Sequence, residues 1–259
     1  GAIEAVENFN SDKTDSEKIF SSIAEQNESR VKVTVTKNRT FQAAEKYSKE
    51  GKKVCVLNFA SSTNPGGGVA HGSGAQEECL CRCSSLYPAL LAAKKDYHEK
   101  HIRLLHDGKM NALYNDDIIF TPDITVFKTD TLLPVTMPET EWYKVDIITC
   151  AAPNLRERPS NSYNPNSGKT KPEISDNELF ELHKNRLAKI MAVAAENKAD
   201  VLIFGAFGCG AFQNPPELVA RAENEVIRKY GKCFKEIEFA VFCPPHDDSN
   251  FVAFEKEFR

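Results

Sequence analysis

Three short runs, Val54–Phe59, Val201–Phe204 and Phe239–Phe242, are apolar on nearly every residue, and with the mostly apolar Val145–Thr149 they recur down the chain with helical patterns between them. Runs of that length suit strands covered on both faces, as happens when helices sandwich a sheet. Helices alternating with such strands pack as layers on a largely parallel sheet. The expected fold class is therefore α/β. Neither an internal repeat nor a long linker interrupts the pattern, so residues 1–259 are expected to form a single domain.

The remaining elements follow from local signals. Residues 1–29 are polar apart from Ile19, Phe20 and Ile23, which predicts an N-terminal helical extension. Arg30–Val35 alternates through Val31, Val33 and Val35, the period of a half-buried strand. Thr40–Lys49 is helical and stops at Gly51; a further helix is expected from about Ala75 to Leu91. Ile118–Phe120 and Thr125–Phe127 read as two short strands. Arg156–Pro172, rich in Asn, Ser, Pro and Gly, reads as a mobile surface loop. Ser175 and Glu178 make a capping box before an apolar helical stripe. Pro215-Pro216 opens another helix, and Phe239–Phe242 is expected to close the sheet.

Composition removes several classes of function. The longest apolar runs are a few residues, against about 20 for a bilayer span, so no membrane partner is expected. The net charge of −4, with no long basic run, disfavours direct nucleic-acid binding. Eight cysteines are present, but Cys79, Cys81 and Cys83 stand two apart rather than in paired zinc-ligand clusters. They read as buried free thiols of a reducing compartment, with no metal and no cofactor. An intracellular location is expected, cytoplasmic if the source is bacterial, and nothing suggests more than a monomer.

Three loops begin where a buried strand ends: Asn58–Gly68, Cys150–Asn154 and Gly205–Phe212. In open α/β sheets ligands bind outside the carboxyl ends of the strands, so these loops should line one site. Gly66-Gly67-Gly68 lacks any Cβ, which lets the backbone approach a ligand closely, and Gly208-x-Gly210 offers the same. Two such arms would clasp a phosphate-bearing ligand through N–H groups. Neither a dinucleotide-binding G-x-G-x-x-G nor a P-loop is present.

Gln76-Glu77-Glu78 stands at the start of the helix leaving the glycine loop. Acidic residues there can simply offset the helix dipole, or one can serve as a general acid/base. Adjacent helical residues point about 100° apart, so this pair cannot flank a bond from opposite sides, and a single acid/base is implied. A thiol mechanism through Cys79, Cys81 or Cys83 with His71 is disfavoured, because residues two apart do not share a helix face. Tyr87, Trp142 and Tyr143 read as packing.

These residues carry a family resemblance. Asn58-Phe59-Ala60, Asn64-Pro65-Gly66-Gly67-Gly68 and Gln76-Glu77-Glu78 resemble the glycine-loop and Gln-Glu-Glu signature of poly(ADP-ribose) glycohydrolases. Leu80-Cys81-Arg82, Ser85-Leu86-Tyr87 and Gly205–Pro215 resemble the bacterial, microbial-type branch. The resemblance runs from about Arg30 to Pro245. It implies a three-layer α/β/α, macro-domain-like mixed sheet with helices on both faces. It also implies hydrolysis of the ribose–ribose bonds of poly(ADP-ribose) to release ADP-ribose.

By the same resemblance Glu78 would be the acid/base and Glu77 would hold ribose hydroxyls. Asn64 would bond the distal ribose. Gly66, Gly67, Gly68 and Val69, with Gly208, Cys209, Gly210, Ala211 and Phe212, would wrap the diphosphate, Phe212 also packing on ribose. Gln76, Gly205 and Phe207 complete the implied binding set. Partners would be poly(ADP-ribose), ADP-ribose and ADP-ribosylated proteins, in a DNA damage response. The chain departs from the pattern at Val69, where relatives carry a bulky aromatic, and at Gly74, where they carry Arg.

Cleavage would pass through an oxocarbenium-like state, with Glu78 protonating the leaving oxygen and then taking a proton from water. A helix start favours an ionised Glu78, whereas a bound diphosphate would favour protonation. Two alternatives share the fold: an ADP-ribose reader, and a mono-ADP-ribosyl or O-acetyl-ADP-ribose hydrolase.

Overall fold

The computed structural model describes residues 6–10, 15–23, 30–162 and 164–259. Its strands are β1 (Glu7–Phe9), β2 (Lys32–Thr36), β3 (Val54–Phe59), β4 (Ile118–Val126), β5 (Tyr143–Cys150), β6 (Val201–Phe204) and β7 (Glu236–Ala240). The helices are α1 (Ser16–Ser22), α2 (Thr40–Lys49), α3 (Gln76–Cys83), α4 (Leu86–Ala92), α5 (His98–His106), α6 (Asp176–Glu196), α7 (Pro216–Tyr230) and α8 (Ser249–Glu257). One sheet runs β1-β4-β5-β3-β6-β7-β2. The five strands from β5 to β2 are mutually parallel, while β1, β4 and β5 pair antiparallel.

Strand alternation splits the core in two. Cys55, Leu57, Ile148, Cys150, Leu202 and Phe204 face α1, α6, α7 and α8, which contribute Phe20, Leu187, Val219 and Phe254. Val54, Val56, Val145, Ile147, Val201 and Ile203 face α2, α3 and α4, which contribute Phe41, Leu80 and Leu86. Continuous apolar runs are thus the signature of a sheet covered on both sides. The three-layer, macro-domain-like α/β/α arrangement is the one the family resemblance implied.

Several local expectations need correction. The helix expected over Ala75–Leu91 breaks at Ser84, which is extended (φ −145°, ψ 177°) and bridges Val126. Serine hydroxyls compete with the helix ladder: Ser84 Oγ bonds Leu80 O at 2.7 Å, and Ser85 Oγ accepts from Thr125 N at 3.1 Å. The two short strands at 118–127 are one strand bulged between Thr121 and Ile124, where Asp123 takes φ +56° and donates its N–H to Asp146. Within the N-terminal segment, α1 lies where Phe20 stacks on Tyr230, but Glu7–Phe9 is a strand on the edge of β4 rather than helix.

The last strand does not close the sheet. β7 lies between β6 and β2, and it begins at Glu236. Its charged Glu238 hid it from an apolar reading, although that carboxylate is buried and bonded by Tyr47 Oη (2.9 Å) and Thr36 Oγ1 (2.7 Å). Helices α5 and α8 carry no strong sequence signal. Where signals were strong the boundaries hold: α2 and β3 fall on their expected residues, and the Ser175–Glu178 capping box opens α6. Among the described residues no helix is long and apolar enough to cross a membrane.

Candidate active site

The parallel strands deliver the three expected loops to one sheet edge, around a cleft of about 640 Å³. Its lining includes Phe59, Ser61, Gly67, Gln76, Glu77, Glu78, Gly208, Gly210, Ala211 and Phe212. The β5 loop contributes Ala152, and Arg39 and Phe242 close the β2–β7 end.

Glu77 and Glu78 leave the first turn of α3 toward the glycine loop, and both are buried, at 3% and 7% exposure. Glu77 Oε2 accepts the Ser61 N–H at 2.7 Å and Oε1 accepts Asn58 Nδ2 at 3.2 Å. Burial pushes this carboxyl up to about 8, with a further push from Glu78; the donors on Ser61, Asn58 and Gly66 oppose it without winning. Glu78 is held differently. Its Oε1 accepts the Gly68 N–H at 2.8 Å, while its buried Oε2 has no partner among the described residues. That oxygen is the site's one unsatisfied carboxylate atom.

Gly67 is where the absence of a side chain is required. It takes φ +58°, and a Cβ there would lie 2.4 Å from Glu78 Oε1 and 3.2 Å from Glu77 Oε2. Both acids therefore reach the one glycine, although adjacent helical residues leave the helix about 100° apart. Asn64 Nδ2 closes the turn by donating to Gly67 O. Gly66 meets the Tyr87 ring, so Tyr87 packs beneath the loop.

The second arm is pinned by Asn214. Its Nδ2 donates to Pro153 O at 2.7 Å and to Gly208 O at 3.0 Å, tying the β5 and β6 loops together. His183 Nε2, 2.9 Å from Asn214 Oδ1, orients that amide; burial pulls this imidazole down to about 4, so it is neutral and its N–H donates. Gly208 has no room for a Cβ, which would fall 2.6 Å from both Ala152 Cβ and Asn214 Nδ2.

Not every expected residue meets the cleft. Gln76 lines it, but its amide is committed: Oε1 accepts from Phe59 N (2.8 Å), and Nε2 donates to Leu57 O (2.8 Å) and Thr40 Oγ1 (3.2 Å). It is a brace between α3 and β3. Phe207 is fully buried between Phe59 and His183. Gly205 underlies the floor, its missing Cβ leaving room for the Phe59 ring and Ala240 O. Asn64, Gly66, Gly68, Val69 and Cys209 form the bodies of the two arms rather than the cleft surface.

Other contributors went unread in the sequence. Arg39 Nε bonds Asp130 Oδ1 at 2.8 Å, and its guanidinium lies 4.6 Å from the Phe242 ring centroid. The segment expected to be a surface loop supplies Arg156, Pro159, Asn161, Asn164 and Ser167 as a wall of the cleft. It is fastened through Ser61 Oγ to Asn164 Oδ1 (3.2 Å) and Tyr114 Oη to Ser167 O (2.8 Å). Ser62, His101 and Asp117 form a hydrogen-bonded series (2.8 and 3.0 Å), but Ser62 is buried and does not line the cleft. Among the described residues no group of three or more His, Cys, Asp or Glu is placed to hold a metal.

Two glycine-rich arms over a buried acidic pair, on a macro-domain-like sheet, define an open cleft with carboxyl groups among its lining residues. Residues 3–129 match the family model for the microbial-type PARG catalytic domain. That stretch carries the glycine loop and the acidic helix, so the match falls on the residues that carry the resemblance. The whole chain resembles solved bacterial structures. Poly(ADP-ribose) glycohydrolase from Thermomonospora curvata is 27% identical with a TM-score of 0.81, covering 99% of this chain and 87% of that one. The same enzyme bound to the inhibitor ADP-HPD gives 0.79 at 27% identity, with 99% and 86% covered. A T267R mutant of the Deinococcus radiodurans enzyme, in complex with ADP-ribose, gives 0.81 at 28% identity, with 100% and 96% covered. No curated protein matches by sequence.

Proposed function

We propose that this chain is a poly(ADP-ribose) glycohydrolase, with Glu78 as its general acid/base. The observation that carries the reading is the buried Glu78 carboxylate, fixed through one oxygen by the Gly68 N–H and left with the other unpartnered. A group of this kind can deliver a proton to a leaving oxygen and then take one from water. Glu77, held by Ser61 and Asn58 and neutral near pH 7, suits a ribose-binding role, since a protonated carboxyl both donates and accepts. Gly67, Gly208, Gly210 and Ala211 bring backbone to the cleft surface, which suits a diphosphate clasp. Phe212 packs on ribose in this reading. The products are ADP-ribose and a shortened polymer, and ADP-ribosylated proteins are the natural carriers of the substrate.

The test compares wild type with Glu78→Gln on purified poly(ADP-ribose). The substitution keeps shape and removes the titrating proton, so the rate should fall on the order of 10²–10⁴ while ADP-ribose binding by calorimetry persists. A wild type that binds ADP-ribose without cleaving polymer is a reader. A Glu78→Gln variant with wild-type turnover removes Glu78 from the chemistry.

A further inference from the structure

Five acidic or basic side chains line the cleft: Glu77, Glu78, Asp130, Arg39 and Arg156. Arg39 is spent, since it pairs with Asp130 at 2.8 Å and bonds Cys79 Sγ at 3.0 Å. The fully buried Arg186, behind the β5 loop, is likewise consumed by Asp116, Ala151 O and Leu113 O. Arg156 is different. It lines the cleft, half-buried, and its guanidinium makes no hydrogen bond or ion pair among the described residues.

Its backbone, by contrast, is firmly placed. Arg156 N donates to Asn154 Oδ1 at 3.3 Å, and Leu155 N donates to Phe212 O at 2.9 Å. Asn154 N in turn donates to Ala112 O at 2.8 Å. The residue therefore springs from a segment strapped to the glycine arm of β6, beside Gly208, Gly210 and Ala211. An uncommitted fork of donors on a fixed backbone, in a cleft also lined by Gly208, Gly210 and Ala211, matches a phosphate oxygen in charge and donor geometry.

We propose that Arg156 is a phosphate-binding residue of this cleft, pairing with a phosphate of the ADP-ribosyl chain. The proposal rests on the substrate class inferred above and adds a residue to it. Backbone amides alone would leave a diphosphate facing Glu78 uncompensated; Arg156 is the cation that offsets it. Two phosphates could fill the role: that of the unit seated in the cleft, or that of the next unit of the polymer.

The experiment uses the full chain as wild type, Arg156→Gln and Arg156→Lys. ADP-ribose binding is measured by calorimetry at two salt concentrations, and polymer hydrolysis is resolved into kcat and KM. A charge-assisted pair lost from a half-buried site should weaken binding roughly ten- to hundredfold in Arg156→Gln, leave kcat nearly unchanged and reduce the salt dependence. Arg156→Lys, which keeps the charge without the fork, should recover part of the loss. If ADP-ribose affinity falls, the seated unit's phosphate is the partner. If ADP-ribose affinity holds while KM for polymer rises, the partner is the next unit's phosphate. Unchanged affinity and unchanged KM in Arg156→Gln overturn the proposal, as does an equal loss in both variants accompanied by a lowered melting temperature. A wild type that cleaves polymer alongside an unaffected Arg156→Gln leaves the glycohydrolase reading standing while Arg156 falls. A wild type that neither binds ADP-ribose nor cleaves polymer overturns both.

Discussion

Substituting Gly67 by Ala tests the coupling between the glycine loop and the acidic pair more directly than removing an acid does. The new Cβ would stand 2.4 Å from Glu78 Oε1, and real Cβ contacts do not come under about 3 Å, so one of the two must move. The backbone at 67 is held by the turn from Asn64, whereas the Glu78 carboxylate is the far end of a flexible side chain. The carboxylate should move by something near 1 Å, at the expense of the 2.8 Å bond from Gly68 N–H. A displacement of about 1 Å at a reacting group can cost on the order of 10² in rate. A second term is the positive φ, which costs a non-glycine residue roughly 1–2 kcal/mol of stability. Gly72 separates the two effects, because it has φ +77° and open space around its missing Cβ. Gly67→Ala and Gly72→Ala should thus lose similar stability in thermal melts, while only Gly67→Ala loses polymer hydrolysis by about 10². Equal turnover in the two variants would refute the placement of Glu78 as the reacting carboxylate.

Glu77 should impress a pH dependence on stability. Its native carboxyl holds a proton to about 8, against 4.5 ordinarily, so between those values the unfolded chain releases a proton that the native state keeps. Its contribution is fully present below the ordinary value and is lost as pH rises toward 8, at a slope of about 1.4 kcal/mol per pH unit. Denaturation of wild type and Glu77→Gln across this window should show the variant gaining relative stability as pH rises; parallel curves would contradict the buried neutral acid. Asn214→Ala strands the Pro153 and Gly208 carbonyls and the His183 N–H, which should cost roughly 2–4 kcal/mol of stability. It should also weaken ADP-ribose binding several-fold by calorimetry, and wild-type values for both would show that the arms hold without this bracket.

What could be read from the sequence was what local chemistry dictates. Val54–Phe59 is apolar because helices cover both its faces, and any strand so covered must look like that. The capping box at Ser175 and the glycines at 66–68 are likewise requirements met within a few residues. Contacts made across the fold left no such trace. Arg39 and Asp130 are 91 residues apart, and neither stands in a recognisable pattern. Asn58 stood in the first site loop and in the family motif without a role of its own, yet it supplies a donor to Glu77. Polar residues in buried places misled the reading of elements too: His98 and His101 in α5 are both fully buried, and Glu238 sits inside β7. Apolar patterning cannot register a polar side chain whose partner comes from elsewhere in the chain.

The two adjacent acids are made unequal by the loop they face, and that inequality bears on mechanism. Neighbouring carboxylates that share one pocket cannot both ionise cheaply. Here burial settles the contest by holding the proton on Glu77, despite donors from Ser61, Asn58 and Gly66. A neutral Glu77 spares Glu78 a charged neighbour at the helix start, where the Gly68 N–H is its one hydrogen-bond partner among the described residues. Under the proposed function, a bound diphosphate is the group whose like charge would favour protonation of the acid. Arg156 bears on the same balance, since a cation paired to that diphosphate would blunt the push. An Arg156→Gln variant that still turns over should therefore show a higher kinetic pKa for its acid in the substrate complex than wild type does. An unchanged value would mean that the diphosphate does not control protonation of Glu78, and that the proton arrives by another route.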